Sequence, residues 1–174
     1  MALVADGPYA DAVTQAIDLL YEAFTGGKKL LVFGNGGSSA DAQHLSAELV
    51  CRFVTERRPL PAIALTTNQA VLTAWSNDYA FDDVFARQIE ALGVAGDVAL
   101  GISTSGRSPN VIHGLRMARA RGLRTIAMTG EDGGAVKELA DVLLAAPVKE
   151  TARIQEVHLV TYHAICAALD KRYG

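Results

Sequence analysis

Five short apolar runs, at residues 30–33, 62–65, 98–102, 125–128 and 142–145, alternate along the chain with stretches of helical length. This alternation limits the possible folds more than any other feature. Strands of one sheet joined through helices call for right-handed crossovers and parallel pairing. The helical stretches show a period of their own. Val13, Ile17, Leu20, Tyr21 and Phe24 recur at helical spacing over about 9–25, and Gly26-Gly27 ends the repeat. Further helices are expected after residue 37, over 82–92, over 109–121, after the TGEDGG segment and over about 151–171, with a helical region interrupted near Asn77-Asp78. Half of the 174 residues are hydrophobic, aliphatic far more than aromatic, which suits a sheet covered on both faces. A chain this long fills one core and divides poorly into two, so 1–174 reads as one domain. The expected fold is α/β, a three-layer αβα sandwich around a five-stranded parallel sheet.

Polar, glycine-rich segments follow four of the runs: GNGGSSAD, TTNQ, STSGRSPN and TGEDGG. In a parallel sheet such segments share the rim at the carboxyl ends of the strands, where ligands bind. The first joins a turn to a helix whose opening N–H groups lack partners and carry partial positive charge, a place for an anion. Farther along that helix, His44 and Glu48 stand four residues apart and so share a face. An anion binder has no need of them; chemistry does, although the same spacing also suits a plain surface pair. The second loop offers the hydroxyls of Ser103, Thr104, Ser105 and Ser108, with Ser108 as a natural N-cap and Pro109 at the first helical position. Neither loop matches a P-loop or a dinucleotide fingerprint, so a monophosphate ester fits better than a nucleotide.

Gln155 and His163 lie eight residues apart in the C-terminal helix, about 12 Å along its axis, so meeting at one point requires convergent side chains. His158 sits among apolar residues and reads as core, whereas His113 reads as exposed. Cys51 and Cys166 form no CxxC pattern and fall in apolar helical stretches, so two buried thiols in a reducing compartment are expected. A net charge of −3 without a basic stripe argues against nucleic acid, and the arginines from 116 to 124 read as an exposed helix face and end. No apolar run reaches membrane-spanning length, and Asp6 and Asp11 break up the N-terminal segment, so a cytoplasmic location is expected.

Taken in order, GNGGSSADAQHLSAEL, AWSNDYAFDDVF, GDVALGISTSGRSPNV, TGEDGG and ARIQEVH resemble the sugar-isomerase (SIS) domain, and within it the phosphoheptose isomerases. The resemblance runs from about Leu20 to Leu169. It implies flavodoxin-like strand order, a homotetramer with active sites at subunit interfaces, and conversion of D-sedoheptulose 7-phosphate to D-glycero-D-manno-heptose 7-phosphate. That product leads toward ADP- and GDP-heptose and the lipopolysaccharide inner core. By motif, Glu48 and His163 match the acid/base pair. His44, Glu48, Gln155 and His163 match the zinc ligands of some members. Asn35, Gly36, Gly37, Ser38, Ser103, Thr104, Ser105 and Ser108 match sugar-phosphate contacts, and Arg52, Asn77, Asp78 and Gln155 match further substrate positions.

The chain departs from the family pattern in three places. Its N-terminal segment is shorter than in many members, Arg107 replaces a frequent Asn, and Lys149-Glu150-Thr151-Ala152 lacks an aspartate found in some. Two other readings accompany the heptose one. SIS domains also serve as non-catalytic sugar-phosphate sensors or as an adaptor for a replication initiator, and others isomerise hexose or pentose phosphates. The presence of both Glu48 and His163 favours an enzyme.

Overall fold

The computed structural model describes residues 7–174, so Asp6 lies outside the described residues. In chain order the elements are α1 (Pro8–Thr25), β1 (Leu30–Gly34), α2 (Gly37–Val50), β2 (Ala62–Ala64), α3 (Gln69–Asp78), α4 (Val84–Leu92), β3 (Val98–Ile102), α5 (Pro109–Ala120), β4 (Arg124–Thr129), β5 (Val142–Ala145) and α6 (Thr151–Tyr173). The strands form one parallel sheet in the order β2-β1-β3-β4-β5. Each expected strand is present within a residue or two of its expected ends.

Side chains alternate across the sheet, as the strand period requires. Leu30 and Val32 of β1 face a core made with Leu20, Phe24, Leu45, Leu49, Tyr162, Ile165 and Leu169 of α1, α2 and α6. Leu31 and Phe33 face the other way, onto Val84, Phe85, Ile89, Val111 and Leu115 of α4 and α5. Every residue of β1 and β3 is buried, which is why these runs read as continuous apolar segments. The strand order reverses between β1 and β3, and in open α/β sheets the ligand crevice forms at that reversal. The loops following these two strands are the glycine-serine segments at Asn35 and at Ser103.

Three expectations are corrected. The helix after TGEDGG is only a 3-10 segment, Gly134–Leu139, entered from a left-handed Gly133 with φ of 71°, and the short link to β5 leaves no room for a longer one. Cys51 is exposed at the end of α2 and only Cys166 is buried; both are free thiols. His113 is half-buried, with Nδ1 2.8 Å from a carboxylate oxygen of Asp83. His158 is fully buried, as expected. No described helix is long and apolar enough to cross a membrane.

Candidate active site

Helices α2 and α6 run side by side in the same direction and hold the candidate catalytic side chains. Near their starts, Gly37 faces Gln155 so closely that any Cβ there would collide with the Gln155 amide nitrogen. Two turns on, His44 meets Tyr162 and His163. Past the end of α2, Arg57 binds Asp170. Helix contact along this line brings residues more than a hundred positions apart in sequence into one row.

At the middle of the row, His44 Nε2 lies 3.0 Å from Glu48 Oε1 and His44 Nδ1 lies 2.9 Å from the Tyr162 hydroxyl. The His163 ring stands edge-on to His44, centroids 5.1 Å apart, with Phe53 at 5.1 Å. His163 Nε2 is buried and has no hydrogen-bond partner among the described residues. Burial, then the nearby His44, holds the His163 imidazole below its ordinary range, and Glu48 opposes that shift. A carboxylate and two imidazoles thus lie together, one of them with a buried, unengaged nitrogen.

The loops shape the neighbouring rim. Asn35 and Asn110 exchange amide hydrogen bonds of 2.8 and 2.9 Å across the sheet reversal, tying the β1 loop to the start of α5. Ser38 is buried at the start of α2, beside Gly36 and Gly37. Ser108 precedes α5, yet its hydroxyl meets that of Ser103 at 2.9 Å and makes no cap bond to the helix. The expected side-chain cap is therefore absent, and the hydroxyl belongs to a serine cluster in which Ser103 also lies 3.5 Å from the Ser105 hydroxyl. Gly106, at φ of +61°, packs against the backbone of Gly133 and interlocks the loops after β3 and β4. A cleft of about 420 Å³ opens beside this loop, lined by Thr104, Ser105, Arg107, Gly130, Asp132 and Lys149 among others.

Other expected site residues lie apart from this group. Arg52, one turn beyond Glu48, is exposed and lies 3.0 Å from the Glu56 carboxylate. Asn77 donates to Asp78 at the exposed end of α3, a helix that packs on α4 and the adjoining Phe81–Asp83 turn. Gln155 sits at the Gly37 end of the helix pair, about three turns along the axis from Glu48. Among the described residues no three His, Cys, Asp or Glu side chains stand arranged to hold a metal ion. The donor chemistry of His44, Glu48, His163 and Gln155 nevertheless suits zinc, which takes imidazole nitrogen and oxygen ligands, and the unengaged His163 Nε2 is a fitting donor.

The SIS domain model matches residues 7–130. A phosphoheptose isomerase from Synechocystis is 52% identical over 172 residues, covering 99% of this chain and 89% of that one. The chain belongs to the phosphoheptose isomerase family. Among solved structures, the phosphoheptose isomerase of Neisseria gonorrhoeae superposes with a TM-score of 0.87 at 46% identity, covering 92% of this chain and 86% of that one. That of Francisella tularensis reaches 0.89 at 40% identity over the same shares. The flavodoxin-like sheet inferred from the sequence is thus the phosphoheptose isomerase fold. Sequence reading missed Tyr162, Asp41 and Asn110 in this setting. Asp41 lies inside the GNGGSSADAQHLSAEL motif and Asn110 ends STSGRSPN, so both were within sight; nothing in the apolar pattern of α6 singled out Tyr162.

Proposed function

We propose that this chain is an aldose-ketose isomerase that converts D-sedoheptulose 7-phosphate to D-glycero-D-manno-heptose 7-phosphate. The observation that carries the proposal is the meeting of Glu48, His44 and His163 on adjoining helices, two to three turns along α2 from its glycine-rich start. In the forward direction the Glu48 carboxylate takes a proton from C1 of the ketose. The C2 carbonyl oxygen gains a proton, giving an enediol. Return of a proton to C2, with loss of the O1 proton, completes the aldose. An imidazole moves protons between the two oxygens near neutral pH, the role we assign to His163. The serine cluster, Thr104 and the amides opening α2 and α5 suit the phosphate, with Asn35, Gly36, Gly37 and Ser38 along the sugar.

The ligand set we assign to zinc is His44, Glu48, Gln155 and His163. A bound zinc ion polarises a carbonyl and stabilises negative charge on neighbouring oxygens. We further infer a homotetramer whose sites lie at subunit interfaces, because α3 buries no residue while Ile63, Tyr79 and Phe81 stand exposed. Arg52, Asn77 and Asp78, which lie apart from the cluster, then serve a neighbouring subunit. The cellular role that follows is cytoplasmic heptose synthesis for lipopolysaccharide.

The test is NMR detection of product heptose from sedoheptulose 7-phosphate, beside ribulose and fructose phosphates. Glu48→Gln keeps shape and removes the base, so binding persists and turnover ends. A wild type that binds the heptulose phosphate without converting it, zinc supplied, refutes the isomerase reading.

A further inference from the structure

Arg107 stands in the hydroxyl loop that follows β3 and curls back over it. Its Nη1 donates to the Ser105 carbonyl at 3.0 Å, and its Nη2 donates to Oδ2 of Asp132, in the loop after β4, at 2.6 Å. The other Asp132 oxygen accepts from the Gly134 amide at 3.0 Å. Arg107 and Asp132 line the cleft of about 420 Å³ together with Thr104, Ser105 and a looser pair, Lys149 and Glu131, 3.6 Å apart. Two cations thus face two carboxylates, and the charges of the lining cancel.

The Arg107–Asp132 pair is not needed to hold the two loops together. Gly106 already packs on the Gly133 backbone, the Val136 amide donates to the Gly106 carbonyl at 3.1 Å, and the Gly130 amide donates to the Thr104 carbonyl at 3.0 Å. Both side chains of the pair are 61% exposed, and ion pairs in that setting contribute little to stability. Such a pair opens readily for a stronger partner. A phosphate monoester carries nearly two negative charges at neutral pH and presents three acceptor oxygens, against the single charge of a carboxylate. Its oxygens also match the planar fork of a guanidinium. The guanidinium lies 3.0 Å from Ser105, whose hydroxyl belongs to the serine cluster assigned to the phosphate, so the exchange asks for a turn of one side chain.

We propose that Arg107 is a specificity-determining residue that leaves Asp132 to bind the terminal phosphate of the substrate, with Asp132 as the internal anion that competes for it. The proposal rests on the phosphosugar reading of the site. Its consequence is selectivity by charge. An entering anion must outmatch one carboxylate, so dianionic phosphate monoesters are taken, while uncharged sugars and singly charged sugar acids are refused.

Three variants of the full-length chain test this. Arg107→Gln removes the cation, Arg107→Lys keeps the charge without the fork, and Asp132→Asn removes the competing charge but keeps an oxygen for the Gly134 amide. Titration calorimetry measures the binding of sedoheptulose 7-phosphate, with inorganic phosphate as a competing probe, and kinetics measures turnover. Arg107→Gln is expected to weaken binding and raise KM by about 10-fold or more, with kcat and melting temperature nearly unchanged. Arg107→Lys recovers most of that loss. Asp132→Asn tightens binding by about 2–5-fold, and does nothing once Arg107 is replaced by Gln. A strut between the loops predicts instead that both single variants lose affinity and melt earlier, with no rescue by lysine. Asp132→Asn that weakens binding or leaves it unchanged, or Arg107→Gln that spares binding or acts on kcat alone, overturns the proposal. A wild type that binds the heptulose phosphate without converting it refutes the isomerase reading, and the calorimetric comparison still decides the role of Arg107.

Discussion

Asp170→Ala tests how the two reactive helices are fastened. Asp170 accepts from the Val54 and Thr55 amides at 2.7 and 2.8 Å, and from Arg57 Nε at 2.8 Å. Arg57 also donates to the main-chain oxygens of Glu48 and Leu49, at 2.8 and 2.9 Å, closing the carboxyl end of α2. The two side chains are 0% and 2% exposed. Burial alone opposes charge on Asp170, but the bonds from Thr55, Val54 and Arg57 outweigh it and hold the carboxyl below its ordinary range. Removing one member of such a pair strands a buried guanidinium and costs about 3–5 kcal/mol. For a chain of this size that lowers the melting temperature by roughly 6–20 °C. Urea denaturation followed by circular dichroism measures the free energy, and calorimetry the melting temperature. The control is Glu90→Gln, which breaks the exposed Arg87–Glu90 pair of 2.8 Å and costs about 0–0.5 kcal/mol. If Asp170→Ala proves as mild as that control, the reasoning from burial is wrong.

At Gly106, alanine meets both the +61° φ and the Gly133 backbone, and a loss of about 1–3 kcal/mol together with a raised KM for the sugar phosphate is expected in melting and kinetic measurements. Gly37→Ala drives the Gln155 amide from its place; we expect weakened zinc binding in a chelator competition, and unchanged affinity refutes the assigned ligand set. His158 is buried, with Nε2 donating to the Thr129 carbonyl, and burial holds its pKa below the ordinary value although that bond opposes the shift. The unfolded chain therefore binds a proton that the folded chain refuses, so stability is full above about pH 6.5 and falls as the pH drops toward the folded value. Unfolding free energies for wild type and His158→Gln between pH 8 and 5 check this, the variant showing the shallower decline. Chelation is expected to abolish turnover and zinc to restore it; full activity after metal removal leaves His44 and Gln155 as positioning residues.

The strands and the rim were legible because apolar runs buried on both sides, each followed by glycine and hydroxyl residues, have few other uses. The Asn35 and Ser103 loops came with them, since a parallel sheet fixes where the ends of its strands point. What stayed hidden depends on packing between distant segments. Tyr162 looks like any core residue of an apolar helix until α2 is laid beside α6. Ser108 carries the signature of a helix cap, but a nearer hydroxyl, Ser103, takes its bond. Cys51 sits in an apolar stretch, yet it falls just where α2 ends and the chain leaves the core. Gln155 and His163 were too far apart for spacing to decide, and the contact with Gly37 at the start of α2 puts Gln155 at one end of the row.

The triple fastening of α2 to α6, at Gly37 with Gln155, His44 with Tyr162 and Arg57 with Asp170, divides the protein into a chassis and its fittings. The proposed proton-handling groups ride on the chassis, while the cleft beside Arg107 and Lys149 is built by loops outside it, where we propose the sugar's far end is held. Preference for a longer or shorter substrate is therefore open to retuning by loop exchange, with the spacing of base and imidazole left as it is.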